Sequence, residues 1–535
     1  MQRLSKKVIY VYNDLDIIIR LMMHNLKQYV EQLNGIHNKN NLNKIIEELS
    51  EKTNIDKSIL KNVIPKYSYI LFDNLVIDTN HKTGNTYDIL VNKLTGTKQD
   101  KLTKQDKSLP FRHNGLNVIF GPFSGQWIHD LQIDDDISTP EVQRRIAQFE
   151  YLNNIIYPAQ RSPEWYAQRD GKITASDAGT VIGDNHHEEP YRMIVKKLRE
   201  TFQNNEFTYH GKKYEDIAKL IYEYRMNVRV KEFGMVAHPK YNFLGASPDG
   251  IICPHKNDEI HKTNLCGRML EIKVPLRRKI KKLGEVKGEI CPIYYWDQVQ
   301  LQLECCDLDE CDFWQCEIGE YPSKEIFIKD TCKSEPFRSK TLSFEKGCLI
   351  QLLPKTKIDK KNTPDYLKTV WESAQFIHPP KIELTPEECD EFVDYTLKNL
   401  DKTHPEYALD KVVYWYLIMS HSETIERDKE WFNSNVDKYR QMWDDITLMR
   451  SKQEYKDLFL KFVDATALGD KDHNIEHVRN NILFKIVETI RNKEKNINKL
   501  NSYIAELYPY INDLSTAKSK SVLLEKLEIF YNKIS

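Results

Sequence analysis

The chain has 535 residues, 40% of them apolar and 29% charged, with only 19 Gly and 21 Pro. That length exceeds what one hydrophobic core supports, so two to four domains are expected, and the composition excludes a fibrous or wholly disordered protein. The formal net charge is −1, which removes any whole-molecule attraction to a polyanion and leaves nucleic-acid binding to local concentrations of Lys and Arg.

The first thirteen residues carry no basic segment followed by an apolar run, and apolar stretches such as residues 17–19 fall far short of a membrane span. A soluble, intracellular, unexported protein without a membrane partner is expected. Helical periodicity over residues 8–30 and 42–60 gives way to a strand-like run at 69–77, so residues 1–145 are expected to form an N-terminal α+β extension. Within it, Thr97-Lys-Gln-Asp-Lys repeats as Thr103-Lys-Gln-Asp-Lys, too polar to fold on its own and read as an exposed connector. Asp134-Asp-Asp and Ser138-Thr lead into a helix start at Pro140.

Mixed helix and strand follow over residues 146–380. A helix is expected over 212–225, then strands over 228–237, 243–252 and 268–275, a helix over 294–305 and a strand over 313–318. The order α-β-β-β-α-β describes a mixed sheet flanked by helices. Residues 381–535 read as a helical C-terminal domain, with helices over 386–400, 408–420, 475–491 and 523–531. The ten cysteines all lie between Cys253 and Cys389. Cys305, Cys306, Cys311 and Cys316 lack a C-x-x-C pair or a nearby His pattern, so they read as buried free thiols rather than metal ligands.

Chemistry concentrates in the strand expected over 268–275. Side chains alternate across a sheet, so Glu271 and Lys273 share one face while Leu270, Ile272 and Val274 share the other. Upstream, Ser247-Pro-Asp249-Gly makes a turn that exposes its Asp. Two carboxylates from adjacent strands suit a hard divalent cation, which prefers oxygen ligands and retains waters that a phosphate can displace. Lys273 would orient or help activate a water, and Glu215 on the preceding helix would add a third carboxylate. Taken singly these features are weak, because Glu-x-Lys on a strand is usually a solvated ion pair; their ordered combination is what points to a site.

That combination resembles the PD-(D/E)XK nuclease superfamily, in particular its YqaJ and phage lambda-type exonuclease branch. The resemblance covers about a third of the chain. It begins at Trp165-Tyr-Ala-Gln-Arg169 and Lys172-Ile-Thr-Ala-Ser176, continues through Gly211-Lys-Lys-Tyr-Glu215 and the two motifs above, and ends at Tyr294-Tyr-Trp-Asp-Gln298-Val-Gln300. It implies an α/β, restriction-endonuclease-like core and a metal-dependent DNA nuclease using one or two Mg²⁺ or Mn²⁺ ions. Asp249, Glu271 and the backbone carbonyl of Ile272 would be ligands, supported by Glu215. Lys273 would assist the water, and Gln298 would position it or the substrate. Arg169, Ser176 and Ser247 would contact phosphates. It also implies DNA as partner and, because lambda-type relatives form rings, assembly of several copies, while the flanking domains offer surfaces for protein partners. A catalytically inactive, nuclease-derived binding or scaffolding module is the alternative.

From the residues alone, Arg169 reads equally as a surface ion-pair member and Ser176 as a helix N-cap. Gln300 and Gln302 read as buried polar packing, and of Tyr294, Tyr295 and Trp296 at least two read as core rather than as base-stacking groups. The densest positive run, Arg277-Arg278-Lys279 through Lys282, reads as a phosphate-backbone contact because it follows the catalytic strand. The superfamily's CRISPR-associated RecB-type members hold an iron–sulfur cluster with one cysteine upstream of the core; none precedes Cys253 here, so no such cluster is expected. A YqaJ-type core between an N-terminal extension and a long helical C-terminus further resembles giant-virus nucleases linked to virophage resistance.

Overall fold

The computed structural model describes residues 137–158, 162–199, 205–256, 259–260, 263–362, 365–467, 472–493, 497–517 and 519–535. The expectations for residues 1–136, including the lysine-rich repeat, lie outside the described residues.

Helix α1 (Pro140–Asn153) starts where expected, with the Thr139 hydroxyl accepting from the Val142 amide and Pro140 in the first turn. Helix α2 (Pro163–Asp170) is capped the same way by Ser162. Strand β1 (Ile173–Thr174) leads into the short helix α3 (Ala178–Ile182) and then α4 (Tyr191–Leu198). Helix α5 (Glu206–Met226) opens with a capping box between Asn205 and Thr208 and closes on Asn227 in the left-handed region. Short strands β2 (Val230–Lys231), β3 (Val236–Ala237), β4 (Leu244–Ala246) and β5 (Gly250–Ile252) precede a small hairpin, β6 (His255–Lys256) and β7 (Glu259–Ile260), and the central strand β8 (Met269–Lys273). After helix α6 (Ile293–Cys306) come strand β9 (Glu310–Glu320), helix α7 (Lys324–Lys329), strand β10 (Lys346–Pro354), helix α8 (Tyr366–Ser373), strand β11 (Gln375–Ile377), helix α9 (Pro386–Thr403) and strand β12 (Tyr407–Glu426). Five helices complete the chain: α10 (Lys429–Ser451), α11 (Gln453–Ala465), α12 (His473–Lys493), α13 (Ile497–Ser515) and α14 (Lys520–Ile534).

One seven-stranded sheet has the order β11-β10-β12-β9-β8-β5-β2, in which β8 and β9 are parallel and the other pairs antiparallel. Strands β1, β4 and β3 form a second, smaller sheet. The two faces of the large sheet carry different cores. On one, Leu270, Ile272, Trp314 and Trp415 pack under Ile217, Ala218 and Ile221 of α5. On the other, Met269, Cys311 and Phe313 meet Trp296, Val299 and Leu303 of α6, with Phe149 and Leu152 of α1. The expected helix, two-faced central strand, helix and strand follow in order, but the strands expected over 228–237 and 243–252 are each split, with β2 and β5 in the large sheet and β3 and β4 in the small one.

The helix expected over residues 408–420 is instead part of β12, a twenty-residue strand between β10 and β9. Its run Val412-Val413-Tyr414-Trp415-Tyr416 is β-branched and aromatic, which suits a pleated surface, and its position inside the sheet lets both faces be apolar and so obscures any period of two. The segment 381–535 is therefore not wholly helical; from Lys429 onward it is. Those helices build a core that also takes in Ile173, Ala175 and Ala178 and Tyr191, Ile194 and Leu198 of α4. They are fastened to α6: the Arg427 guanidinium donates to both Glu304 oxygens at 2.7 and 2.8 Å and to Asp307 at 2.7 Å, and Gln300 donates to the Glu426 carbonyl and accepts from the Asp428 amide. No helix among the described residues is long and apolar enough to cross a membrane. Cys305, Cys306, Cys311 and Cys316 are buried free thiols shared among three separate cores.

Candidate active site

Strand β8 sets the site. Its residues Glu271 and Lys273 point to the α6 face while Leu270 and Ile272 point to the α5 face. Register between β5 and β8 pairs Gly250 with Leu270, so continuing it by one residue places Asp249 opposite Glu271. The Ile272 amide donates to Asp249 Oδ2 at 2.7 Å, which fixes that carboxyl against the strand. Gly250 is required at this turn: a Cβ there would stand 2.1 Å from Val230 Cγ1, so any larger residue would push β5 off β2 and carry Asp249 with it.

Glu271 is almost wholly buried, at 1% exposure, yet both its oxygens are engaged. Oε1 accepts from Lys273 Nζ and from Gln298 Nε2 at 2.6 Å, and Oε2 accepts from Gln302 Nε2 at 2.7 Å. Lys273 Nζ also donates to Gln298 Oε1 at 3.3 Å and sits 4.5 Å from the Tyr295 ring centre. Burial alone would lower the Lys273 pKa, but Glu271, Tyr295 and Asp249 together outweigh it and hold the ammonium above its ordinary range. The Asp249 pKa is raised too, but there it disfavours the charged form: burial, then Glu271, then Glu215 push its carboxyl well above the usual range, against Lys273 and the Ile272 amide. Asp249 thus faces two neighbouring acids in a place poorly reached by water, with the Lys273 ammonium beside them. Among the described residues no three His, Cys, Asp or Glu side chains form a ready-made metal cage.

Gln302 was read from the sequence as packing, alongside Gln300. On a helix, however, residues four apart share a face, so Gln298 and Gln302 both reach Glu271 while Gln300 points away to the Glu426 carbonyl. Treating the glutamines as alternating, a strand period, hid that pairing.

The residues implied as phosphate contacts gather around Trp165. Arg169 stacks 4.7 Å over its ring and lies 3.4 Å from both Thr174 Oγ1 and Ser176 Oγ, and the Trp165 indole N–H donates to Ser247 Oγ at 3.2 Å. Ser176 makes no side-chain cap for α3 and is exposed. Trp165 and Thr174, the side chains that join this cluster, were not assigned roles from the sequence. The basic run after β8 divides. Arg278 donates to Gln315 Oε1 at 2.7 Å, next to the row Lys273–Gln315 across β8 and β9. Arg277 pairs with Glu206 at 2.6 Å and Lys279 is exposed, so these two face outward.

Next to Gln298 on α6, Asp297 is fully buried. Burial, then the Asp184 carboxylate, push its carboxyl from an ordinary 3.8 up to about 7, opposed by Lys287, the Trp431 indole and Lys438. Well below pH 3.8 the group is neutral folded or unfolded. Between pH 4 and 7 the folded state must keep a proton that the unfolded chain releases, so native stability falls with rising pH. Asp297→Asn should therefore stabilise the protein at pH 8, by on the order of 2–4 kcal/mol, with the gain shrinking toward pH 4.5. Thermal unfolding of both proteins across that range checks it; a pH-independent difference would contradict the assignment.

This layout, a two-faced strand carrying Glu271 and Lys273 with Asp249 opposite and α6 alongside, coincides with a known domain class. Residues 164–309 match the model of the YqaJ-like viral recombinase domain, which spans α2 to the turn after α6 and includes each of the acidic, lysine and glutamine positions above. The resemblance drawn from the motifs holds over that segment. Among individual proteins, the chain is 37% identical to protein R354 of Acanthamoeba polyphaga mimivirus over 325 residues, 60% of this chain and 58% of that one, so the match spans under two thirds of the relative's length. Among solved structures, an alkaline exonuclease of Laribacter hongkongensis, LHK-Exo, aligns over 57% of this chain and 99% of its own with 16% identity and a TM-score of 0.28. The same enzyme in complex with dAMP gives 15% identity and the same TM-score and coverage.

Proposed function

We propose that this chain is a Mg²⁺- or Mn²⁺-dependent deoxyribonuclease that hydrolyses phosphodiester bonds, with exonuclease and, on some substrates, endonuclease activity. The observation that carries the reading is the convergence of Asp249, Glu271 and Glu215 beside the Lys273 ammonium, in a place where burial and then the neighbouring acids raise the Asp249 pKa. Such a surplus of acidic oxygens suits a divalent cation. A cation that keeps several waters needs only one or two protein carboxylates, so the lack of a closed cage fits Mg²⁺ or Mn²⁺ better than a structural metal. Asp249, Glu271 and the Ile272 carbonyl would hold it, with Glu215 behind. When bound, it would polarise a phosphoryl oxygen, acidify water and offset developing charge.

The chain's own side chains do the rest. Lys273, beside Glu271, orients a water or helps activate it, and its charge offsets the negative charge that develops. Gln298 and Gln302 hold Glu271 in one orientation, and the Ile272 amide holds Asp249. Arg169, Ser176 and Ser247 would seat one phosphate and Arg278 another, which predicts binding that weakens steeply with salt. Gln302→Leu should lower the cleavage rate about 10- to 100-fold and raise the Mn²⁺ concentration needed for half-maximal rate; an unchanged metal dependence would remove Gln302 from the site.

The setting we propose is viral DNA recombination, repair or defence against foreign DNA, supported by the recombinase-domain match and the mimivirus relative. The reading is tested by incubating the full chain with end-labelled linear duplex and with covalently closed circle in Mn²⁺, Mg²⁺ and EDTA. Metal-dependent shortening of the linear DNA supports it. Binding without cleavage under every condition would put an inactive, nuclease-derived binding module in its place.

A further inference from the structure

Beside the catalytic strand runs a line of rings that the proposed chemistry does not use. Tyr295 borders Lys273, Tyr294 lies 4.3 Å from Tyr295, and His186 and His187 each stand 5.6 Å from Tyr294 with their own centres 3.8 Å apart. The two tyrosines are half-buried, but both histidines are exposed. The turn bearing them is braced: Gly183 takes a left-handed conformation after α3, Asn185 accepts from the His187 amide at 3.1 Å and donates to Thr180, and Thr180 donates to Glu188. It is also pressed onto α6, since a Cβ at Gly179 would sit 2.8 Å from Tyr294 Cβ. Two imidazoles are thus held at the surface on a fixed support, in line with the catalytic ammonium.

We propose that His186, His187 and Tyr294 form a shelf on which an unpaired nucleobase stacks while the adjoining phosphodiester occupies the site at Asp249 and Glu271. The inference rests on the nuclease reading and specifies its substrate: a strand unpaired next to the bond being cut. Every base offers a π-face, and histidine and tyrosine side chains receive it without sequence preference. Inside a duplex those faces are covered by neighbouring bases, whereas an unpaired nucleotide presents its own. Cations flank the line for the backbone, with the Arg278 guanidinium 5.9 Å from the Tyr295 ring and Lys287 Nζ 3.8 Å from the Trp296 ring. An apolar protein segment would leave those charges unpaired and bury the polar edges of both imidazoles.

The test uses the full chain and its His186→Ala/His187→Ala double variant, whose replaced side chains are exposed, with a His186→Phe/His187→Phe double variant as an aromatic control. Each is measured against a single-stranded dT 12-mer and an abasic 12-mer of the same length. Stacking of one base is worth about 1–3 kcal/mol, so the wild type should bind the dT strand at least fivefold more tightly by fluorescence anisotropy. The alanine variant should lose most of that preference and the phenylalanine variant retain it. All three should hydrolyse bis(p-nitrophenyl) phosphate in Mn²⁺ at the same rate. A wild type without preference for bases, or an alanine variant that keeps it, overturns the shelf. Absence of bis(p-nitrophenyl) phosphate hydrolysis by the wild type would instead overturn the nuclease reading, which the anisotropy comparison does not depend on.

Discussion

Asp249→Asn and Lys273→Ala should each lower DNA cleavage at least a hundredfold, about 3 kcal/mol of lost transition-state stabilisation, while moving stability in opposite directions. The acids explain the split. Asp249 is held above its ordinary pKa by burial and by Glu271 and Glu215, so its charged form strains the native state, and an amide in its place relieves that repulsion. Asp249→Asn should unfold at the same temperature as the wild type or a higher one. Removing Lys273 leaves Glu271 buried with only the amides of Gln298 and Gln302, so that variant should unfold earlier. Loss of activity with gain of stability is what a strained functional site produces; a plain structural role for Asp249 would lower both together. Cleavage assays and thermal unfolding on the same preparations separate the cases.

The second large effect lies away from the chemistry, at the buried pair of Arg225 and Glu345. The Arg225 guanidinium donates to both Glu345 oxygens, at 2.9 and 2.6 Å, and to Ser420 Oγ at 2.8 Å. Neither side chain is more than 1% exposed. The pair joins α5, which carries Glu215, to the start of β10 and to β12. Glu345→Ala strands a guanidinium where water cannot reach it, and breaking a buried pair from one side costs roughly 3–5 kcal/mol. For a chain of this size that corresponds to a drop in melting temperature of about 3–5 °C. Replacing both partners with apolar residues, as in Arg225→Met/Glu345→Leu, should recover part of it, because no stranded guanidinium remains at 225, while the buried Arg338, 4.0 Å from Glu345, is left with Glu335 as its acidic partner. Equal destabilisation by the single and double variants would show that the pair's value is attractive rather than mutual neutralisation.

The parts of the fold legible in the sequence are those where one face is apolar and the other is not. Helix α5, the two-faced strand β8 and helix α6 each show a clean period; β8 and α6 lie within two residues of their expected bounds, while α5 begins at Glu206, six residues before its expected start. Strand β12 does not, because both its faces are buried in the middle of the sheet and its long apolar run imitates a helix; its weight of Val, Tyr and Trp was the available signal. Asp249, Glu271 and Lys273 were legible because strand alternation and an Asp-Gly turn fix where such side chains point. Gln302 was not, since its role depends on helical spacing relative to Gln298. Trp165 was hidden for another reason: its partners Arg169 and Ser247 are separated by a long stretch of chain and meet only through β1 and β4, which pair in parallel. Asp297 carries no sequence signal beyond its type, and its shifted pKa exists only because α6 and α10 enclose it.

The account depends on a divalent cation held by Asp249 and Glu271. Titrating Mn²⁺ into the full chain and into Asp249→Asn, with free ion read by electron paramagnetic resonance, measures that occupancy without relying on catalysis. Saturable binding of one or two ions by the wild type, with at least one lost in the variant, is the predicted result; no saturable binding by the wild type, or equal binding by both proteins, would contradict it.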